Sequence, residues 1–119
     1  EVKRFLLAQR NRCLLAGIPS HKILIDPGFG FGKTTEHNLC LFKSIDQFVE
    51  TNVPVLIGVS RKRFIGELLN EAPDQRLIGS VTMALLAAQA GASVLRVHDV
   101  KETKQALRLL SYTEKLSDR

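Results

Sequence analysis

The sequence has no tryptophan, one tyrosine and only two cysteines among its 119 residues. Two cysteines cannot build a disulfide framework. Neither Cys13 nor Cys40 has a second Cys or His at a metal-like spacing, and both read as small buried hydrophobes in helical stretches. No apolar run approaches the roughly 20 residues that span a bilayer, and the opening Glu1-Val-Lys-Arg-Phe5 has none of the apolar core of a signal peptide. No membrane partner is therefore expected, and the chain reads as soluble and cytoplasmic. The net charge of +5 and pI near 9.6 suit an anionic partner. With so few aromatics, however, no basic stripe is interleaved with Tyr or Trp, and nucleic acid is not expected.

What is present is an ordinary globular composition, 45% apolar and 24% charged, in the size range of one domain. Residues 1–16 carry Val2, Phe5, Leu6, Cys13 and Leu14 at mostly helical spacing, stopped by Gly17 and Pro19. Ile23-Leu24-Ile25 is a short apolar run suited to a buried parallel strand. Thr34 is a candidate N-cap for one helix to about residue 50, with Leu39, Phe42, Ile45, Phe48 and Val49 on its apolar stripe. A second strand is expected over Val53–Gly58, with Pro54 tolerated at its start, and a helical turn over Phe64–Leu69. Residues 76–90 read as an Ala- and Leu-rich helix buried on most sides. Ala92–Val97 reads as the third strand, and Asp99 with Glu102 as a capping box opening the last helix. The order is α/β with parallel strands, which periodicity alone leaves between a doubly wound sheet and a (β/α)₈ barrel. A chain that opens inside a helix and has three strands leaves two sheet edges open, so it is expected to be a fragment or a half-barrel completed by another chain.

Each strand ends in a polar or glycine-rich cluster, and parallel α/β folds build their sites at such ends. The first is Asp26-Pro-Gly-Phe-Gly-Phe-Gly-Lys33. Its glycines permit positive φ and close approach to a ligand, and Phe29 and Phe31 offer rings to wall a flat heterocycle. The spacing fits neither G-x-G-x-x-G nor a P-loop, although Gly32-Lys33-Thr34 imitates the end of the latter. Asp26 either ties down its own loop through an Asx-type bond or accepts two N–H bonds from a guanidine-like edge. The second cluster, Ser60-Arg61-Lys62-Arg63, places a hydroxyl, backbone amides and cations together after a strand, either as an anion site or as a solvated basic turn. In the third, Arg96 and His98 lie two apart in an extended segment and share a face, which makes them a candidate anion clamp.

Together Asp26-Pro-Gly-Phe-Gly-Phe-Gly-Lys33, Gly58-Val-Ser-Arg-Lys-Arg-Phe64 and Arg96-Val-His-Asp-Val100 resemble three ordered motifs of the dihydropteroate synthases, the pterin-binding barrel family. The resemblance implies that residues 1–119 are the carboxy-terminal part of a single TIM-barrel domain, from the helix before strand six to the helix after strand eight. It implies a transferase of folate biosynthesis that condenses 6-hydroxymethyl-7,8-dihydropterin diphosphate with 4-aminobenzoate, with sulfonamides competing at the aminobenzoate site. By that likeness Asp26 bonds the amino-pyrimidine edge of the pterin and Lys62 bonds its ring. Gly30 and Phe31 line the site, with Phe31 on the aminobenzoate, and Ser60 and Arg61 lie at the substrate, Ser60 on the carboxylate. Arg96 stacks on the pterin and binds the diphosphate with His98. Lys62, Arg96 and His98 are the expected catalytic residues.

The family further implies Mg²⁺, through an asparagine in an amino-terminal half that this sequence does not contain. No metal ligand is expected here, a homodimer is expected, and the 119 residues alone are expected not to turn over substrate. Two other readings compete: the pterin-binding domain of a folate-dependent methyltransferase, and a half-barrel that serves only in assembly. Against the former, a methyl-tetrahydrofolate brings no diphosphate for the Ser60–Lys62 and Arg96–His98 clusters to meet.

Overall fold

A computed structural model describes residues 1–117. Helix α1 (Val2–Leu15) ends on Gly17, which adopts φ 98° while the amides of Gly17 and Ile18 bond the carbonyls of Leu14 and Cys13. This paired closure uses a left-handed residue that glycine supplies without steric penalty. The helix rests on the core through Val2, Leu6 and Leu7, while Phe5 and Leu14, expected on its apolar stripe, stay exposed. The cysteines depart from expectation too: Cys13 is half-buried and Cys40 exposed.

The strand segments are parallel and lie side by side in sequence order, joined by helical crossovers. Strand β1 (Leu56–Ile57) pairs with β2 (Val94–Leu95), Leu56 opposite Val94 and Ile57 opposite Leu95. The expected first strand is reduced to a single bridge between Ile25 and Val55. All three are shorter than their apolar runs. Pro54 contributes only a carbonyl, which accepts from Ile25 at 2.9 Å, and the amides of Ser93 and Val94 both turn to the Val55 carbonyl, so a regular ladder begins at residue 94.

Alternation along these segments decides which face is covered. Ile25, Val55, Ile57 and Val59 are 4%, 1%, 1% and 2% exposed and pack against Phe29, Ile45, Phe48, Phe64, Ile65 and Ala87. Leu24 and Val94, on the opposite face, are 45% and 40% exposed. The even-numbered positions on that open face continue, at the strand ends, into Asp26, Gly58, Ser60, Arg96 and His98.

The helix expected from Thr34 to residue 50 is two helices, α2 (Thr35–Lys43) and α3 (Ile45–Val49), broken at Ser44, whose hydroxyl bonds the Cys40 carbonyl at 3.0 Å. Thr34 caps α2 as expected, accepting from the His37 amide at 3.1 Å. Helix α4 (Arg63–Leu69) opens directly from the basic cluster. Helix α5 (Leu77–Gln89) buries a narrow stripe, Ser80, Ala84 and Ala87, rather than most of its surface, and leaves Ile78 exposed. Gly79 lies against Ile65 and Leu69 of α4, so these two helices approach closely where no side chain intervenes. Helix α6 (Val100–Ser117) follows β2. The Asp99 carboxylate ahead of it turns to Arg61, while Asp99's carbonyl accepts from the amide and hydroxyl of Thr103.

Candidate functional site

At the first strand end Asp26 Oδ1 accepts from the Gly28 amide at 2.9 Å, the Asx-type closure open to it in the sequence. Gly28 and Gly30 take φ 76° and 87°, and the loop is pinned at Gly30, whose amide donates to Asn38 Oδ1 at 2.8 Å. Asn38, 2% exposed, also donates from Nδ2 to the Thr34 carbonyl at 3.0 Å. Lys33 folds back so that Nζ bonds the Gly28 carbonyl at 2.8 Å, which commits it to its own loop. The two rings have different fates. Phe29 is 1% exposed and packs on Phe42 and Phe64, with centroids at 5.9 and 6.3 Å, so it belongs to the core rather than to the wall of a site. Phe31 is 68% exposed.

The second strand end reaches over this loop. The Lys62 stem lies on Gly30, where an added Cβ would meet Cδ at 3.3 Å, and Nζ sits 4.6 Å from the Phe31 ring centroid. Arg61 holds a left-handed backbone, φ 56°, its amide bonded to Ser80 Oγ at 2.8 Å and its carbonyl to Arg76 Nη1 at 3.2 Å. Its guanidinium turns to Asp99 across the rim, with Nη2 2.7 Å and Nε 3.4 Å from the carboxylate oxygens. The hydrogen bond from Arg61, helped by the charges of Arg61 and His98, holds the Asp99 carboxyl below the usual carboxylate range.

The third strand end meets both. Arg96 Nη1 lies 3.4 Å from Asp26 Oδ2, and its guanidinium crosses Gly58, where a Cβ would fall 2.8 Å from Cζ. Ser60, 6% exposed, accepts from the His98 amide at 3.2 Å, and its Oγ lies 2.9 Å from His98 Nδ1. Beside this rim an open cleft of about 410 Å³ separates the Gly30 loop from α4. There Glu67 is bonded by Thr35 and, at 3.1 Å, by Arg63. The Thr35 hydrogen bond, then the Arg63 charge, holds its carboxyl low.

The structure therefore gathers Asp26, Gly30, Phe31, Lys62 and Arg96 into one linked group, with Ser60, Arg61 and His98 on the same rim. The Arg61 guanidinium joins Asp99 rather than this group. Asn38, Ser80 and the bare backbone of Gly58 went unnoticed in the sequence. For Asn38 a signal existed: it is a polar residue on the stripe that continues through Phe42 and Ile45. As for the implied Mg²⁺, Asp26 and Asp99 are each paired with an arginine, and no group of three or more His, Cys, Asp or Glu side chains gathers among the described residues. These residues do not fit a magnesium ligand set.

No helix among the described residues is long and apolar enough to cross a membrane. Residues 1–98 match the family described as pterin binding enzyme. The chain is 50% identical over 113 residues to the dihydropteroate synthase of Escherichia coli strain K12, covering 95% of this chain and 40% of that relative. It superposes with a TM-score of 0.92 at 50% identity on Xanthomonas albilineans dihydropteroate synthase in complex with 7,8-dihydropteroate, covering 95% of this chain and 44% of that one. On the Thermus thermophilus dihydropteroate synthase in complex with 4-aminobenzoate the TM-score is 0.88 at 50% identity, covering 93% of this chain and 43% of that one. The chain spans about 40% of the length of the curated relatives it matches. With the family match over most of its length and a TIM-barrel-type α/β fold shared with these structures, the chain belongs to the pterin binding enzyme family.

Proposed function

We propose that these residues form the carboxy-terminal half of a single dihydropteroate synthase barrel, strands six to eight with their helices, and supply pterin- and diphosphate-binding groups to its site. The observation that carries the proposal is the Asp26–Arg96 pair, 3.4 Å apart beside the side-chain-free Gly58, with Lys62 and Phe31 alongside. Such a group offers a carboxylate for the N–H edge of an amino-pyrimidine, flat cationic and aromatic surfaces for the ring, and cations for an anion leaving from it.

In the proposed reaction the amine of 4-aminobenzoate attacks the methylene carbon of 6-hydroxymethyl-7,8-dihydropterin diphosphate. The carbon–oxygen bond to the diphosphate breaks with its electron pair, and the amine proton is released. Asp26 and Lys62 orient the pterin, Arg96 stacks on it, and Arg96 with His98 binds the departing pyrophosphate. Gly30 and Phe31 border the aminobenzoate, whose carboxylate lies toward the Ser60–Lys62 turn. The chain's part is to position the reactants and stabilise developing charge, and no nucleophilic side chain is required. Ser60 and Arg61 act chiefly by holding His98 and Asp99. No step is assigned to a metal. The proposal includes a cytoplasmic homodimer, supported by the exposed apolar Leu68, Leu69 and Ile78 along α4 and α5.

Titration calorimetry tests this. The protein is expected to bind the pterin diphosphate in preference to methyl-tetrahydrofolate, and residues 1–119 are expected to release pyrophosphate in the presence of 4-aminobenzoate only as part of a complete barrel. Preference for methyl-tetrahydrofolate, or pyrophosphate release by these residues alone at the rate of a full-length synthase, would overturn it.

A further inference from the structure

Ser60 is one of four buried polar residues among those described. Its hydroxyl has one proton and two lone pairs to distribute. One lone pair accepts from the His98 amide at 3.2 Å, and the same oxygen stands 2.9 Å from His98 Nδ1. Two arrangements satisfy these distances. With the ring proton on Nδ1, Oγ would accept two N–H bonds while its own O–H, in a residue only 6% exposed, found no acceptor among the described residues. With Nδ1 unprotonated, the hydroxyl donates to it, and Ser60 Oγ, its proton, Nδ1 and the His98 amide are all paired. Leaving a buried donor unpaired is the costly choice, so the second arrangement prevails.

We propose that Ser60 is a positioning residue which fixes the neutral His98 ring with its proton on Nε2. Nδ1 faces the buried hydroxyl and the residue is otherwise exposed, so Nε2 lies on the solvent side, where it has no hydrogen-bond partner among the described residues. His98 thereby presents an N–H donor to the rim on the face it shares with Arg96. The inference rests on the reading of His98 as part of an anion site. It assigns the hydroxyl of Ser60 to the histidine rather than to a substrate carboxylate.

Long-range ¹H–¹⁵N NMR correlation of the labelled protein reads the tautomer directly, and calorimetry with inorganic pyrophosphate reads its consequence. In the unsubstituted protein neutral His98 is expected as the Nε2–H form. Ser60→Ala is expected to give a mixture of tautomers and pyrophosphate affinity weakened about two- to tenfold, the range one hydrogen bond covers. Ser60→Thr, which keeps the hydroxyl, is expected to restore both. A dominant Nδ1–H form in the unsubstituted protein overturns the proposal without any variant having to fold, as does a Ser60→Ala protein with an unchanged tautomer. An Nε2–H ring that Ser60→Ala disturbs, in a protein that binds no pyrophosphate, upholds the Ser60–His98 assignment and overturns the diphosphate reading instead.

Discussion

An alanine at position 58 would bring its Cβ to 2.8 Å from Arg96 Cζ, too close for the guanidinium to stay where it meets Asp26. Because the crowded atoms are the far end of a flexible side chain, the fold can adjust cheaply while the site cannot. Gly58→Ala is expected to change stability by no more than about 0.5 kcal/mol in urea unfolding, yet to weaken binding of the pterin diphosphate tenfold or more by calorimetry. Asn38 presents the opposite case. Its buried side-chain amide bonds the Gly30 N–H and the Thr34 carbonyl at once, and Asn38→Ala removes both bonds, although the Thr34 carbonyl still accepts from the backbone amide of residue 38. A loss of about 1–2 kcal/mol in denaturant unfolding is expected, with weaker ligand binding as the Phe31 loop loosens. At this scale the sequence singled out residues whose chemistry is unusual for their place, Asp26, Lys62 and Arg96 just past apolar strands, and the structure puts them on one rim. It could not separate Phe29 from Phe31, which alternate in one motif, because only the arrival of Phe42 and Phe64 makes the first a core residue. Gly58 was illegible for a similar reason: what matters there is a neighbour from another strand.

Between elements, the rim is held by contacts that tie one strand end to the next: Arg61 to Asp99, Ser60 to His98, Arg96 to Asp26. The Arg61–Asp99 contact makes stability depend on pH in a definite direction. The Asp99 carboxyl titrates lower in the folded chain than unfolded, where it would titrate near about 3.9. Its contribution is thus fully present above that value and is lost as the pH falls through the lower, folded one. The melting temperature of Asp99→Asn should lie below that of the unsubstituted protein at neutral pH, and the gap should close below about pH 4; a gap independent of pH would show that the contact is not ionic. The helices themselves were legible from capping and glycine stops, Thr34 and Gly17 above all. The break at Ser44 was not, since Leu41, Phe42, Ile45 and Phe48 keep helical spacing across it and the interruption depends on one hydroxyl bonding back to Cys40. Strand lengths were overstated because an apolar run reports burial, whereas pairing also needs an amide and a carbonyl in register.

The whole molecule is a slab, with principal extents of 44 × 42 × 21 Å and a radius of gyration of 15.4 Å, against about 13.5 Å for a compact domain of this length. Helices cover one side of the strands, while Leu24 and Val94 on the other are exposed among the described residues. Association beyond the proposed dimer is therefore expected for these residues at micromolar concentration in sedimentation velocity, and Leu24→Lys, which puts a charge on the open face, should remove the species larger than the dimer. The Asp26–Arg96 contact has a different significance at this scale. It joins residues 70 apart in the chain and spans all three strand segments. Closing so long a loop is entropically unfavourable until the intervening strands and helices have docked, and a pair this exposed contributes too little to drive that closure by itself. The carboxylate and guanidinium that the proposed pterin site needs are thus far apart in any partly folded chain. Ligand binding in a refolding experiment should appear with the last native contacts rather than the first, making occupancy of the site a clock for the completion of folding.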